Sequence, residues 1–165
     1  MIYFKKVLQF FSILICTTLW AQTTEMVTIK RGTYVPLYGS TDKKPVQVEG
    51  FKIDVYPVTN AQFLNFVKKY PDYSRSKIKG LFADKSYLAT WENDYSFGKI
   101  NKSNSPVTNV SWFAAKKYCE CQGKRLPTMD EWEYVAMADE KLIDARTKEE
   151  FNKYILMKKK KPKTY

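Results

Sequence analysis

The sequence predicts one α+β domain, and three patterns along its 165 residues support this prediction. Apolar and polar residues alternate over 26–38 and 46–55, which is typical of half-buried strands. Three later stretches have apolar residues at helical spacing, and each follows a Ser or Thr that can cap a helix. Residues 73–105 show no periodicity and are rich in Ser, Lys, Asn and aromatic residues. We therefore expect a long irregular segment inside the domain.

Short antiparallel strands are predicted for the first part of the domain. Residues 26–38 are expected to form a hairpin that turns at Arg31-Gly32. Two further alternating runs, 46–48 and 51–55, are separated by Gly50, which favours either a β-bulge or a break between two strands.

The first helix is predicted to begin at Thr59 or Asn60, either of which can cap it, and to end near Tyr70. Its buried stripe is expected to consist of Ala61, Leu64 and Val67, with Phe63 beside them. The tetrapeptide PVTN occurs at 57–60 and again at 106–109, each time before a predicted helix. We interpret both copies as the same turn, in which Pro fixes φ and Thr or Asn offers a cap.

The two later helices have stronger local signals. Ser111 can cap the second helix, and Gly123 can adopt the left-handed conformation that ends it. Thr128 and Glu131 fit the capping-box pattern at the start of the third helix. The expected stripes are Trp112, Ala115 and Cys119 on the second helix and Trp132, Val135 and Ala136 on the third.

Residues 1–21 are predicted to be a signal peptide. Lys5 and Lys6 precede the mostly apolar run 7–20, and Ala21 offers a small residue at the cleavage position. A transmembrane anchor fits less well because a membrane span needs roughly 20 apolar residues. A lipoprotein signal would use Cys16, but the bulky Ile15 precedes it.

We therefore expect an exported chain, periplasmic or secreted, that begins near Gln22 and has no transmembrane span. Residues 22–138 are expected to form the domain, and residues 139–165 a charged helical segment with a Lys-rich tail. Within that segment a helix is predicted from Asp144 to Tyr154. The tail can bind an acidic partner or anionic headgroups, but such charge runs are more often solvated ends.

Composition excludes several functions. The chain has 28 Lys and Arg against 17 Asp and Glu, a formal net charge of +11, and no His. The absence of His excludes Ser-His-Asp and Cys-His nucleophile pairs and removes the commonest metal ligand. Gly123-Lys124-Arg125 lacks the spaced glycines of a phosphate-binding loop. Nucleic-acid binding is not expected, because no basic patch is interleaved with aromatic residues.

The cysteines and acids near the last two predicted helices are candidate site residues. Cys119 and Cys121 lie two positions apart on one predicted helix, about 200° around its axis, so both thiolates cannot face one ion. Asp130, Glu131 and Glu133 suit a general acid/base or a cation site, but also helix capping and dipole compensation, which we favour. Arg125 can bind a carboxylate ligand or pair with one of these acids.

Several segments resemble the sulfatase-modifying-factor family. They are FKIDVYPVTN at 51–60 and, between 106 and 136, PVTNVSW, YC, GKRLPT and EWEYVA in the family's order and spacing. The resemblance covers about residues 26–136. It implies a C-type-lectin-like α+β fold with much irregular chain, which we expect here to be incomplete at its C-terminus. It also implies that residues 73–105 help to form a substrate-facing surface, although a loop pinned by its own rings is the interpretation we favour.

The resemblance assigns structural motif positions and no catalytic, cofactor-binding or metal-binding residue. Those positions are Asn60, Asn109, Trp112, Cys119, Gly123, Arg125, Pro127, Thr128, Glu131, Trp132 and Glu133. The family's name-giving member, the formylglycine-generating enzyme, oxidises a sulfatase cysteine to formylglycine with molecular oxygen and a copper ion held by two cysteines. Copper and calcium are implied only for a full-length member.

Three hypotheses follow from this resemblance. The chain is a truncated formylglycine-generating-enzyme-like protein that is not catalytic as it stands, with a sulfatase as the protein substrate of the intact parent. Alternatively, the parent is a non-catalytic lectin-like binding or scaffold domain of cell-surface machinery. In the third hypothesis the chain acts alone as a small binding module.

Overall fold

The structure is a computed structural model that describes residues 24–37 and 44–153. Within these residues, four short strands precede three helices of eight or ten residues, and this mixture of helix and sheet agrees with the predicted α+β class. The elements are β1 (Met26–Ile29), β2 (Gly32–Tyr34), β3 (Val46–Val48), β4 (Phe51–Asp54), α1 (Asn60–Lys69), a 3-10 turn (Pro71–Tyr73), α2 (Trp112–Cys121) and α3 (Met129–Ala136). The predicted signal peptide and the Lys-rich tail lie outside the described residues.

The four strands form one interrupted antiparallel ribbon. β1 pairs with β4 and β2 pairs with β3, and the register is the same in both pairs: Ile29 lies opposite Phe51, and Gly32 lies opposite Val48. The predicted hairpin with a turn at Arg31-Gly32 is therefore wrong, because the chain continues straight through these residues. Alternation identifies extended residues but does not identify which strand lies opposite.

Gly50 marks a break in this ribbon and not a bulge, because a bulge adds one residue to one strand and would shift the register. A Cβ at this position would lie 3.4 Å from the carbonyl oxygen of Ile29 on the opposite strand. The two strands thus approach closely at the break.

α1 begins where the sequence predicts. The Thr59 hydroxyl accepts a hydrogen bond from the Gln62 N–H, and the Gln62 side chain accepts one from the Thr59 N–H, which completes a capping box. The helix buries Asn60, Phe63, Phe66 and Val67. The predicted stripe was correct for Phe63 and Val67, but Ala61 and Leu64 are only half-buried. Burial of the larger Phe66 ring accounts for this rotation of the buried face.

The largest hydrophobic cluster joins α1, α2 and the irregular segment, and is called the main core below. Its buried members are Phe63, Phe66, Val67, Tyr87, Leu88, Trp91, Ala114 and Tyr118. The rings of Phe63 and Trp91 meet edge to face with centroids 6.2 Å apart, and those of Phe63 and Tyr118 stack at 5.8 Å. The irregular segment is therefore fixed by its own buried rings, as we favoured.

The two PVTN copies lie side by side. Thr59 forms an isolated antiparallel bridge with Pro106, and the Val107 N–H donates to the Val58 carbonyl oxygen at 2.9 Å. The prediction that both copies cap helices is correct only for the first copy, since Ser111 caps α2. In the second copy Asn109 instead adopts a left-handed backbone with φ of 57°.

A smaller cluster joins the ribbon to α3 and is called the ribbon core below. It contains Tyr34, Val48, Tyr134 and Met137. Gly32 permits this packing, because a Cβ there would collide with the Tyr134 hydroxyl.

The predicted buried stripes of α2 and α3 were wrong for both tryptophans and for Ala136, which is also exposed, while Ala115, Cys119 and Val135 are half-buried. Trp112 is 60% exposed and Trp132 is 59% exposed. Tyr118 is buried against the main core, and Tyr134 is buried in the ribbon core. The position of the neighbouring elements, and not side-chain hydrophobicity, decides which face of each helix packs.

The chain after α3 is mostly turns. Residues 149–153 are helical, so the helix predicted from Asp144 begins later than expected. The Arg146 guanidinium pairs with Asp144 and donates to the Val35 carbonyl oxygen at 2.8 Å, which attaches this segment to the ribbon. None of the helices within residues 24–37 and 44–153 has the length and apolar character that a bilayer span requires.

Candidate functional site

An open groove lies between the β1–β4 half of the ribbon and the connection from α2 to α3. Strand residues such as Ile53 form one wall, and the end of α2, the connection and α3 form the other. Six of the predicted motif positions line it: Cys119, Gly123, Arg125, Pro127, Glu131 and Trp132. The remaining five, Asn60, Asn109, Trp112, Thr128 and Glu133, are not among its lining residues.

The end of α2 positions the basic residues of the groove. Gly123 has φ of 67°, the left-handed conformation that glycine adopts without steric cost. The Lys124 N–H donates to the Cys119 carbonyl oxygen at 2.9 Å, so the chain reverses immediately after the helix. This reversal directs Lys124 and Arg125 toward the groove.

Lys124 attaches this connection to the end of the ribbon. Its ammonium lies 2.5 Å from the Asp54 carboxylate and also contacts the Thr24 hydroxyl. The Thr24 hydroxyl in turn donates to the same Asp54 oxygen at 2.7 Å. The Lys124 and Asp54 side chains are 23% and 25% exposed, so solvent screens this pair only in part.

Arg125 forms a bidentate ion pair with Glu131, both contacts being 2.6 Å. Glu131 also accepts the Thr128 N–H at 2.8 Å, while the Thr128 hydroxyl accepts the Glu131 N–H, as the capping-box pattern predicts. The Arg125 guanidinium and the Thr128 N–H hold the pKa of Glu131 at about 2. This carboxylate is therefore ionised at neutral pH and fully occupied by partners.

The other two acids of α3 have different partners. Tyr34 donates its hydroxyl proton to Asp130 at 2.7 Å, and burial together with this carboxylate raises the pKa of Tyr34. The Leu37 N–H donates to Glu133 at 3.1 Å. The three carboxylates Asp130, Glu131 and Glu133 therefore have three different hydrogen-bond partners, and within residues 24–37 and 44–153 they do not form a group that could hold a metal ion.

Cys119 and Cys121, the two cysteines among the described residues, are both free and half-buried. Cys119 lines the groove, where burial and then the charge of Asp54 raise the pKa of its thiol. Cys121 lies beside Tyr70 and raises the pKa of that phenol. Since the two residues are two positions apart on α2, their side chains point about 200° apart around the helix axis.

A copper ion held by two thiolates does not fit this arrangement. Both sulfurs would have to lie within bonding distance of the same ion, on one side of the helix. Among the residues that the structure describes, no group of three or more His, Cys, Asp and Glu side chains is arranged to hold a metal ion.

Asn60 joins the first helix to the irregular segment. Its carbonyl oxygen accepts the Trp91 indole N–H at 3.1 Å, and its amide donates to the carbonyl oxygens of Lys102 and Ser105. The sequence identified Asn60 as a candidate cap and as a structural motif position of the family. Its hydrogen-bond partners were missed because they are at least 31 residues away in the sequence. The PVTN repeat was the sequence signal that could have linked this residue to the irregular segment.

The described residues form a mixed α+β domain, built from an interrupted antiparallel ribbon, three short capped helices and a long irregular segment. The chain matches the family described as the sulfatase-modifying factor enzyme 1-like domain over residues 16–163. It belongs to this family, as the motifs between residues 51 and 136 suggested.

Curated relatives of several kinds match the chain. It is 31% identical over 148 residues to the inactive C-alpha-formylglycine-generating enzyme 2 of Bos taurus, with 70% of this chain and 49% of the relative covered. It is 30% identical over 147 residues to the formylglycine-generating enzyme of Mus musculus, with 67% and 39% covered. It is 32% identical over 118 residues to the serine/threonine-protein kinase pkn1 of Chlamydia pneumoniae, with 68% and 19% covered. The chain thus spans about half the length of these relatives, or less.

Proposed function

We propose that this chain is a formylglycine-generating-enzyme-like protein whose described residues supply the framework of the domain and not the metal centre of the oxidation. The reaction implied for an intact parent is oxidation of a sulfatase cysteine to formylglycine. The observation that supports the framework role is the divergence of Cys119 and Cys121 on α2.

The environment of Cys119 supports the same role. A thiol acts as a metal ligand or nucleophile in its thiolate form, and burial beside Asp54 raises the pKa of Cys119. The neighbouring Lys124 opposes this shift, but its ammonium is already bound to Asp54. Cys119 is therefore a protonated packing residue at neutral pH.

The charged residues of the groove also have structural partners. Glu131 is held by Arg125 and the Thr128 cap, and Asp54 is held by Lys124. Each pair joins two elements whose relative position the groove requires. Among the described residues lining the groove, these carboxylates are stabilisers of the fold and not acid/base catalysts.

Formation of formylglycine in a sulfatase peptide tests this proposal. The full chain is incubated with copper and a cysteine-containing sulfatase peptide, and formylglycine is measured by mass spectrometry. We expect no turnover, whereas the formylglycine-generating enzyme of Streptomyces coelicolor, a relative 32% identical to this chain, serves as the positive control. Turnover that disappears in a C119S/C121S variant, or stoichiometric copper bound through these thiols, would contradict the proposal.

A non-catalytic binding or scaffold role in cell-surface machinery is the second candidate. One comparison favours the absence of catalysis: a relative whose name describes it as inactive. Coexpression with a sulfatase separates the two candidates. Binding without conversion of the sulfatase cysteine supports the scaffold role, the absence of both supports the first proposal, and conversion by this chain would contradict both candidates.

Export is also part of the proposal. Lys5 and Lys6 followed by the apolar run 7–20 are the signal, and cleavage after Ala21 gives a mature chain beginning at Gln22. Expression in a secreting bacterium followed by N-terminal sequencing tests this. A chain that keeps its first 21 residues in the exported fraction would contradict it.

A further inference from the structure

We propose that an exposed aromatic surface at the start of α2 binds an acidic polypeptide segment of a partner protein through a large apolar side chain. This surface, called the aromatic face, consists of Leu81, Phe82, Trp112 and Phe113. These side chains are 81%, 37%, 60% and 44% exposed, respectively. Contiguous exposed apolar side chains of this size are typical of interaction sites.

The rings of the aromatic face hold one another in place. Phe82 and Phe113 meet edge to face with centroids 5.1 Å apart, and Phe113 and Trp112 do so at 5.2 Å. The Lys116 ammonium lies 5.4 Å from the centre of the Trp112 ring. Because the rings are ordered before a partner arrives, binding loses little side-chain entropy, and Trp is among the residues that contribute most at interfaces.

Three lysines lie on the loop and the helix that carry the aromatic face. Lys79 and Lys85 are exposed on the loop that carries Phe82, whose N–H donates to the Lys79 carbonyl oxygen at 2.8 Å. Lys116 adds a third cation on α2. Charge complementarity therefore favours an acidic partner.

Two nearby acids cancel this charge only in part. The Asp84 carboxylate accepts both the N–H and the hydroxyl of Ser86, and these bonds lower the pKa of Asp84, so it is ionised at neutral pH. Glu120 lies 3.8 Å from Lys116 and pairs with it. Against these two carboxylates, the three lysines leave a net positive charge on the loop and helix that carry the rings.

Ring geometry favours a polypeptide over a sugar. A sugar stacks on an open, flat aromatic face, but the rings of Phe82, Phe113 and Trp112 are tilted 64° and 85° from their neighbours. Lys116 additionally lies over the Trp112 ring. The clefts between tilted rings suit the insertion of a Tyr, Phe or Leu side chain.

Fluorescence anisotropy with a labelled random copolymer of Glu and Tyr tests the proposal, with polyglutamate as the probe that lacks an apolar side chain. We expect the full chain to bind the copolymer and to bind polyglutamate more weakly. W112A and F113A are expected to weaken copolymer binding at least about ten-fold, the loss typical of a central aromatic contact. W132A is the matched control, since Trp132 is equally exposed on α3 and is expected to change binding less than about two-fold.

A charge-reversal variant keeps the test decisive if W112A or F113A fails to fold. K79E/K85E changes only exposed loop lysines, and it is expected to weaken copolymer binding and to reduce its salt dependence. Circular dichroism and thermal melts establish that each variant used is folded.

Several results would overturn the proposal. These are equal losses in W112A and W132A, equal binding of both polymers, binding unaffected by K79E/K85E, and absence of copolymer binding. Preferential binding of heparin through Trp112 would assign the aromatic face to a sulfated glycan instead. Dimers that dissociate in W112A would assign it to contacts between two copies of this chain.

Discussion

The region around α1 and α2 and the region around α3 are held together by different forces. The main core contains eight buried residues, and its largest side chain, Trp91, is 2% exposed. The ribbon core contains four, and it is supplemented by polar contacts: Tyr34 with Asp130, Leu37 with Glu133, and Arg146 with Val35. One region depends mainly on burial of rings, and the other combines a smaller buried cluster with hydrogen bonds and ion pairs.

This difference determines how each region responds to mutation and pH. Buried rings contribute through apolar area and packing, which pH does not change. Ion pairs contribute only while both partners are charged. The α3 region is therefore expected to lose stability in acid before the α1–α2 region does.

Truncation of Trp91 is expected to have the largest effect. Trp91→Ala creates a cavity in the main core and leaves the Asn60 carbonyl oxygen without its indole partner, which lowers the free energy of unfolding by about 3–5 kcal/mol. Urea denaturation measures this loss. Trp132→Ala, at an exposed site, is the control and is expected to change stability by less than about 0.5 kcal/mol. Similar losses in both variants would show that the main core is not the dominant source of stability.

The Glu131 carboxylate is the next largest contributor and gives the acid response. Its pKa in the folded protein is about 2, below the ordinary value of 4.5. Because the folded-state pKa is depressed, this stabilisation is complete above pH 4.5 and is lost as the pH falls toward 2. Glu131→Gln is expected to lower stability at pH 7 by about 2 kcal/mol.

Denaturation curves between pH 2 and pH 7 compare this variant with the parent chain. Glu131→Gln should flatten the acid limb of the stability profile. Gln62→Glu is a useful control, because it changes the equivalent capping-box position of α1, which has no arginine partner among the described residues. If the stability of the variant falls with pH in parallel with that of the parent chain, Glu131 is not the cause of the acid sensitivity.

Gly32→Ala tests the packing of the ribbon core. The added methyl group would overlap the Tyr134 hydroxyl, so Tyr134 must shift, and we expect a loss of about 1–2 kcal/mol. Gly80→Ala is the matched control, because no atom lies within 4 Å of a Cβ there. Thermal melts of the two variants compare them directly. Equal melting temperatures would mean that the ribbon core tolerates displacement of Tyr134.

The smallest effect is expected at Asn109. Its φ of 57° suits Asn or Gly but is unfavourable for a β-branched residue, so Asn109→Val is expected to cost about 1 kcal/mol. Asn109→Gly should keep the hydrogen bond that its carbonyl oxygen accepts from the Leu88 N–H and should be close to neutral. Chemical denaturation separates the two. A neutral valine variant would show that this backbone relaxes without cost.

Local features of the fold were predictable from the sequence. The caps Thr59, Ser111 and Thr128 all lie at the predicted positions, because capping depends on residues within one turn of each other. The left-handed Gly123 was predictable for the same reason. The pairing of Arg125 with an acid of α3 was expected as well, since the two residues lie only six positions apart.

Contacts distant in sequence were not predictable. The hairpin prediction failed because Ile29 pairs with Phe51 and not with the strand that immediately follows it. Trp112 was placed in a buried stripe because its hydrophobicity is visible in the sequence, whereas the position of its neighbours is not. Likewise, the Lys124–Asp54 ion pair joins residues 70 positions apart, and no local sequence pattern predicts it.

The bridge between Thr59 and Pro106 closes a loop without any covalent link. The segment from α1 to the second PVTN copy is held in place by this bridge and by the main core. A single cut of the backbone in the exposed turn at Gly80-Leu81 therefore leaves the two fragments bound to each other. A protease-nicked sample should run as two bands on a denaturing gel and elute as one species under native conditions.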